Sequence, residues 1–111
     1  MDKLEKKLYD AILDFLSETM DKDEAQNQSL NIMSAIIELN NKLNNMINNG
    51  EDDTSLVAKK FHTLKNLLLY GDFYYESDLC QDIEEKLRET NNISSIIDLN
   101  NELQKSLSMW I

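Results

Sequence analysis

Proline is absent from this chain of 111 residues, and glycine occurs only at Gly50 and Gly71. These two residue types interrupt helices most strongly, so long helices can run unbroken through most of the sequence. Clusters of β-branched and aromatic residues, which favour strands, are also sparse, whereas Leu, Lys, Glu and Asn are abundant. The composition therefore predicts an all-α fold.

Cysteine and histidine each occur once, as Cys80 and His62. A lone cysteine excludes an internal disulfide, and a zinc site or a hydrolytic triad needs more ligands or partners than these two residues supply. We therefore expect no metal and no cofactor, and we interpret Cys80 as a small buried hydrophobic residue. The cysteine content is also typical of a reducing cytoplasm.

Positive charge is scarce as well. The chain has 11 basic and 21 acidic residues, so its formal net charge is −10. Such a surface repels nucleic-acid phosphates and anionic lipids, so neither is an expected partner. The amphipathic N-terminus has no apolar run long enough for a signal peptide or a membrane span. These features predict a cytoplasmic protein.

Five amphipathic segments predict five helices in one domain, residues 1–111. A polar break at 21–24, the stop at Asn48-Asn49-Gly50, the capping stretch 52–55 and the break at Gly71-Asp72 divide the segments. We expect a helix within 1–21 and, over 27–110, an antiparallel up-down four-helix bundle, with Trp110 packing the last turn. The expected helices run from Asp2 to Met20, Asn27 to Asn49, Ser55 to Tyr70, Tyr74 to Glu89, and, after the break at 90–92, from Ile93 to the C-terminus.

Two stretches resemble each other, SAIIELNNKL at 34–43 and SSIIDLNNEL at 94–103. An old duplication would explain the match. Convergence would explain it too, because bundle helices draw on few residue types, and the flanking segments do not match convincingly. We favour convergence.

The third helix carries the most informative pattern. Val57, Phe61, Leu64 and Leu68 form one narrow core-facing seam, and His62 points about 130° away from it, towards solvent. Lys65 lies one turn further along on the same side, with Ala58 and Leu69. A neutral imidazole is a competent nucleophile towards phosphorus, an ammonium can balance phosphate charge, and an apolar rim offers a docking site.

The segment His62-Thr63-Leu64-Lys65 resembles the His-x-Leu-Lys core of histidine phosphotransfer (HPt) domains, which carry phosphate in two-component relays. The similarity extends over about residues 28–109, through the polar turn 49–53, Gly71 and the stretch Leu79-Cys80-Gln81-Asp82-Ile83-Glu84. The family fold is an antiparallel four-helix bundle, often preceded by a short helix.

The resemblance implies that His62 exchanges a phosphoryl group with a response-regulator receiver domain or a sensor histidine kinase, and that Lys65 stabilises the phosphohistidine. Such a protein is a stand-alone phosphate carrier, monomeric or weakly dimeric, and not an enzyme in its own right. The same resemblance places Glu84 and Arg88 beside the site. With Ala58, Asn66 and Leu69 they complete the expected docking surface.

Two alternatives remain open. Asn66 stands where the family usually has glycine, which would suit an HPt-like adaptor that binds a regulator or kinase without transferring phosphate. The chain could also be an unrelated helical regulatory protein, such as a coiled-coil regulator or a toxin-neutralising partner. Burial of His62 would favour that second alternative.

Overall fold

The computed structural model describes residues 1–109, and these residues form five α-helices with no strands. The helices are α1 (Lys3–Leu16), α2 (Lys22–Asn48), α3 (Thr54–Leu69), α4 (Tyr74–Thr90) and α5 (Ile97–Ser108), with a 3₁₀ turn (Ile93–Ile96) leading into α5. The all-α prediction is confirmed. The expected packing of Trp110 lies outside the described residues.

The first helix begins at a capping box and ends earlier than expected. The Asp2 carboxylate accepts the Glu5 amide hydrogen at 2.8 Å, and the Asp2 amide donates to the Glu5 side chain at 3.0 Å. This reciprocal pair satisfies two amides that a helix N-terminus leaves without partners. The helix then ends at Leu16, before the expected Met20.

The polar stretch 21–24 begins α2, so the prediction of a break there was wrong. The Asp21 carboxylate accepts the Glu24 amide hydrogen at 2.9 Å and caps the helix. Asp23 and Glu24 fall in the first turn, where negative charge interacts favourably with the helix dipole. A composition that resembles a loop is therefore an N-terminal cap, and α2 starts at Lys22, ahead of the expected Asn27.

One hydrophobic core joins all five helices. The predicted α3 seam is confirmed, because Val57, Phe61, Leu64 and Leu68 are all fully buried. Helix α3 packs along α4, α1 packs on α2, and α2 and α5 contact α3 and α4 respectively. The seam holds α3 in the rotation that turns His62 outward.

Paired side chains link α2 to α5. Asn40 and Gln104 exchange two hydrogen bonds at 3.0 and 2.7 Å, and the Asn100 amide donates to Asn44 at 3.0 Å. Asn40 and Asn100 occupy the same position of the two similar stretches, and Asn44 and Gln104 each directly follow one of those stretches. Asn40 therefore bonds to the residue that follows the other stretch, and so does Asn100.

Candidate functional site

His62 lies on the outer side of α3, as the helical periodicity predicts. Its side chain is 51 % exposed, whereas the adjacent Phe61 is fully buried. The rotation that buries Phe61 sets this exposure, because successive residues of a helix point about 100° apart. The burial that would favour an unrelated helical protein is not found at His62.

The His62 ring is held by a carboxylate from the neighbouring helix. Its Nδ1 lies 2.9 Å from Oε1 of Glu84 on α4, and the Glu84 side chain is only 14 % exposed. Arg88, one turn further along α4, donates from Nε to Oε2 of the same carboxylate at 3.2 Å. Both oxygens of Glu84 are therefore engaged, one by the imidazole and one by a guanidinium.

Opposing effects act on the charge of Glu84. Burial raises the pKa of the Glu84 carboxyl, but hydrogen bonds from His62 and Arg88, with the charges of both partners, lower that pKa overall. The group is therefore an anion at neutral pH. Since a carboxylate can only accept hydrogen bonds, Nδ1 of His62 must carry the hydrogen between the two atoms.

This hydrogen bond determines which nitrogen of a neutral imidazole can react. With the hydrogen on Nδ1, the other ring nitrogen, Nε2, has a free electron pair and can act as a nucleophile. If Nε2 becomes bonded to an electrophile, the ring gains positive charge, and the Glu84 anion stabilises it. Resemblance alone had placed Glu84 beside the site, without this direct contact.

A shallow recess surrounds the ring and includes a residue that the sequence analysis missed. It is lined by Lys59, His62, Thr63, Glu84 and Arg88. Lys59 precedes His62 by three residues, so the helical spacing that pointed to Lys65 would equally have identified it. Two exposed cations, Lys59 and Arg88, thus lie beside the imidazole.

Lys65 lies on the other flank of the helix. It is half-buried, its backbone carbonyl accepts a hydrogen bond from Ser77 of α4, and it does not line the recess around His62. On an ideal helix, Lys59 and Lys65 each lie about 60° from His62, on opposite sides. The imidazole therefore has a lysine on either flank.

The prediction that Ala58 forms part of the docking surface was wrong, because Ala58 is fully buried and cannot contribute exposed surface. It shares the flank of α3 on which the half-buried Lys65 lies. Asn66 and Leu69 are exposed, as expected. Together with Phe15 and Tyr70 they line an apolar recess further along the same face.

A larger groove between the α2–α3 and α4–3₁₀ connections contains none of the predicted site residues; it is lined by Ile47, Gly50, Glu51, Asp52, Thr54, Asn91, Asn92, Ile93, Ser94 and Ile97. Among residues 1–109, no cluster of three or more His, Cys, Asp or Glu side chains could hold a metal ion. Over the same range, no helix combines the length and apolarity that a bilayer crossing requires.

Comparison with known proteins adds no relative. No family model matches the chain, and neither the curated proteins nor the solved structures contain a match. What can be said of function therefore rests on the geometry around His62 and on the resemblance in its sequence.

Proposed function

We propose that this chain is a histidine-containing phosphotransfer protein of a two-component phosphorelay. The observation that carries the proposal is the hydrogen bond from Nδ1 of exposed His62 to Glu84, which leaves Nε2 free to attack phosphorus. The protein carries the phosphoryl group between a receiver domain or sensor kinase and the next receiver domain. It is a carrier in the cytoplasm and not an enzyme in its own right.

The transfer requires no proton to leave the imidazole. Nε2 attacks the phosphorus of a phosphorylated receiver aspartate, an N–P bond forms, and the P–O bond to the aspartate breaks, so the aspartate departs as a carboxylate. Positive charge then spreads over the ring, where Glu84 balances it. Lys59 and Arg88, which line the recess around His62, would balance the charge of the phosphoryl oxygens, with Lys65 on the opposite flank; such electrostatic stabilisation is a main contribution that a protein makes to this reaction.

The proposal includes the finer architecture, an antiparallel up-down bundle of α2, α3, α4 and α5 with α1 packed alongside. The hydrogen-bonded pairs support it. Asn40 with Gln104 and Asn44 with Asn100 pair α2 and α5 in opposite directions, as His62 with Glu84 and Lys65 with Ser77 pair α3 and α4. Short connections join successive helices, as in such bundles.

One observation favours a second candidate, an HPt-like adaptor that binds a regulator or kinase without accepting phosphate. Asn66, one turn beyond His62, is exposed and lines the neighbouring apolar recess. Its side chain stands where the family usually has glycine, so it takes space that an approaching partner would otherwise use. An adaptor would bind the same partners but leave His62 unmodified.

The test incubates the purified chain with radiolabelled, phosphorylated receiver domains and, separately, with phosphoramidate. Phosphoramidate needs no protein partner, because Nε2 displaces ammonia as the P–N bond of the donor breaks. The relay proposal predicts an acid-labile, base-stable label on the chain's one histidine from both donors, and none in His62→Gln. Binding of a receiver domain without labelling from either donor would favour the adaptor, and equal labelling of His62→Gln would overturn the assignment.

A further inference from the structure

One asparagine of this chain is followed directly by glycine. The pair is Asn49-Gly50, whereas every other asparagine precedes a residue that has a side chain. Glycine has no Cβ, so the side-chain carbonyl carbon of a preceding asparagine can come close to the backbone nitrogen of the glycine. Attack by that nitrogen is the first step in which an asparagine loses its amide without an enzyme. Among the asparagines of the chain, Asn49 therefore meets the least steric resistance to this reaction.

Both residues of the pair are exposed, in the turn between α2 and α3. Asn49 is the residue at which α2 ends, and its side-chain amide has no hydrogen-bond partner among residues 1–109. Gly50 lines the open groove at this end of the molecule, and a Cβ placed on it would meet no atom within 4 Å. Water therefore reaches both reacting groups, and no neighbouring side chain holds the amide away from Gly50.

The backbone of the turn opposes the attack. Gly50 has a φ of +68° and donates its N–H to the Ile47 carbonyl at 3.1 Å, and the Glu51 amide donates to the Met46 carbonyl at 3.0 Å. Glycine commonly ends a helix with such a pair of bonds. Since ψ of Asn49 is 1°, the Asn49 side chain and the Gly50 nitrogen also point to different sides of the bond that joins Cα to the carbonyl carbon. A ring between them can therefore close only when this cap opens.

We propose that Asn49 is a site of spontaneous deamidation and that opening of the α2 cap sets its rate. When the bond from Gly50 to Ile47 breaks, the Gly50 nitrogen loses its proton to water and attacks Cγ of Asn49. A C–N bond forms, and the side-chain NH₂ departs as ammonia with a proton taken back from water, which leaves a five-membered succinimide. Water then opens the ring at either carbonyl and gives aspartate or isoaspartate. Helix ends open with much smaller free energies than whole domains, so the reaction does not require global unfolding.

Both products disturb the turn. Each places a carboxylate at the negative end of the α2 dipole, next in sequence to Glu51, Asp52 and Asp53, so the new charge is repelled. Isoaspartate also directs the backbone through the side-chain carbons and lengthens it by one atom, so the two capping bonds cannot both keep their geometry. Deamidation should therefore weaken the end of α2 and its connection to α3.

The experiment incubates the purified chain, folded and in urea, at neutral and at mildly alkaline pH. Peptide mass spectrometry measures the mass gain that conversion of an amide into an acid produces, separately for Asn49 and for the adjacent Asn48, which is equally exposed but precedes asparagine. An isoaspartyl methyltransferase with radiolabelled methyl donor detects the isoaspartate product. The matched variant is Gly50→Asn, since asparagine also accepts the left-handed conformation and preserves the cap while it adds a Cβ. Circular dichroism checks that this variant is folded.

We expect Asn49 to deamidate in the folded chain, Asn48 to remain unchanged over the same period, and the rate at Asn49 to rise with pH as the Gly50 nitrogen loses its proton more readily. Urea should speed the reaction about tenfold because it removes the cap, and Gly50→Asn should slow it about tenfold in both states. No conversion of the folded chain while the urea-treated chain is converted would overturn the proposal. Equal rates in the two states would show that the cap does not control the reaction, and equal rates at Asn48 and Asn49 would remove the role of Gly50.

Discussion

Nδ1 of His62 and Oε1 of Glu84 lie 2.9 Å apart, and this contact joins the two helices that pack most closely in the molecule. Arg88 holds the second carboxylate oxygen, so the imidazole, the carboxylate and the guanidinium form one hydrogen-bonded chain across α3 and α4. The arrangement orients the ring and selects its reactive nitrogen. In the proposed relay, Glu84 acts on the reaction through His62, as a positioning residue.

Substitution of Glu84 should slow phosphorylation of His62, and the size of the effect should depend on the substituted residue. Glu84→Gln keeps an oxygen that can accept from Nδ1 but removes the charge, whereas Glu84→Ala removes both. A hydrogen bond to a charged group contributes about 1.5–3 kcal/mol, so we expect a loss of about tenfold for Gln and a larger loss for Ala. The measurement is the initial rate of labelling by phosphoramidate. Wild-type rates in Glu84→Ala would remove Glu84 from the mechanism.

The contact between Glu84 and His62 should also make the free energy of unfolding depend on pH. Hydrogen bonds and charges from His62 and Arg88 outweigh burial and hold the pKa of Glu84 below its ordinary value. A carboxyl whose pKa is lowered by folding stabilises the protein above its unfolded pKa, and that contribution is lost as pH falls through the folded pKa. Urea unfolding of wild type and Glu84→Gln should therefore give a difference in free energy of unfolding that shrinks as the pH is lowered from 7 towards 3. A difference that stays constant would show that the charge of Glu84 adds nothing.

The polar pairs between α2 and α5 should matter to stability more than their exposed neighbours. Asn40 is only 8 % exposed, and Asn40→Ala removes the partner that both donates to the Gln104 amide and accepts from it, which leaves Gln104 its bond to Asn100 at 3.3 Å. A part-buried amide that loses hydrogen-bond partners costs about 1–3 kcal/mol. Asn41→Ala, at the next and exposed position, should cost less than about 0.5 kcal/mol.

A double-mutant cycle with Gln104→Ala isolates the pair itself. The free energy of unfolding of each variant is measured in urea. The double mutant should lose less stability than the sum of the losses in the two single mutants, and the difference, the coupling energy, should be about 0.5–3 kcal/mol. Strict additivity would mean that the two amides stabilise the fold independently.

The sequence predicted those features that depend on one helix alone. The seam of α3 and the exposure of His62 follow from helical periodicity, which needs no knowledge of neighbouring helices. The beginning of α2 was missed because an acidic capping turn has the composition of a loop, and only the bond from Asp21 to Glu24 distinguishes the two. The burial of Ala58 and the contact of Glu84 with His62 depend on how neighbouring helices lie against α3. The spacing of residues within one helix does not predict how another helix packs against it.

Cys80 provides a last test, of the packing behind the site. The side chain is fully buried on α4, and burial, together with the nearby Glu76 carboxylate, raises the pKa of its thiol to about 12. Since only the thiolate reacts with alkylating reagents, roughly one molecule in 10⁴ carries the reactive form at pH 8. We expect iodoacetamide to leave the native protein almost unmodified, as read by mass spectrometry, and to modify it fully in urea. Rapid, stoichiometric modification of the folded chain would mean that α4 opens readily, and α4 could not then hold Glu84 against His62.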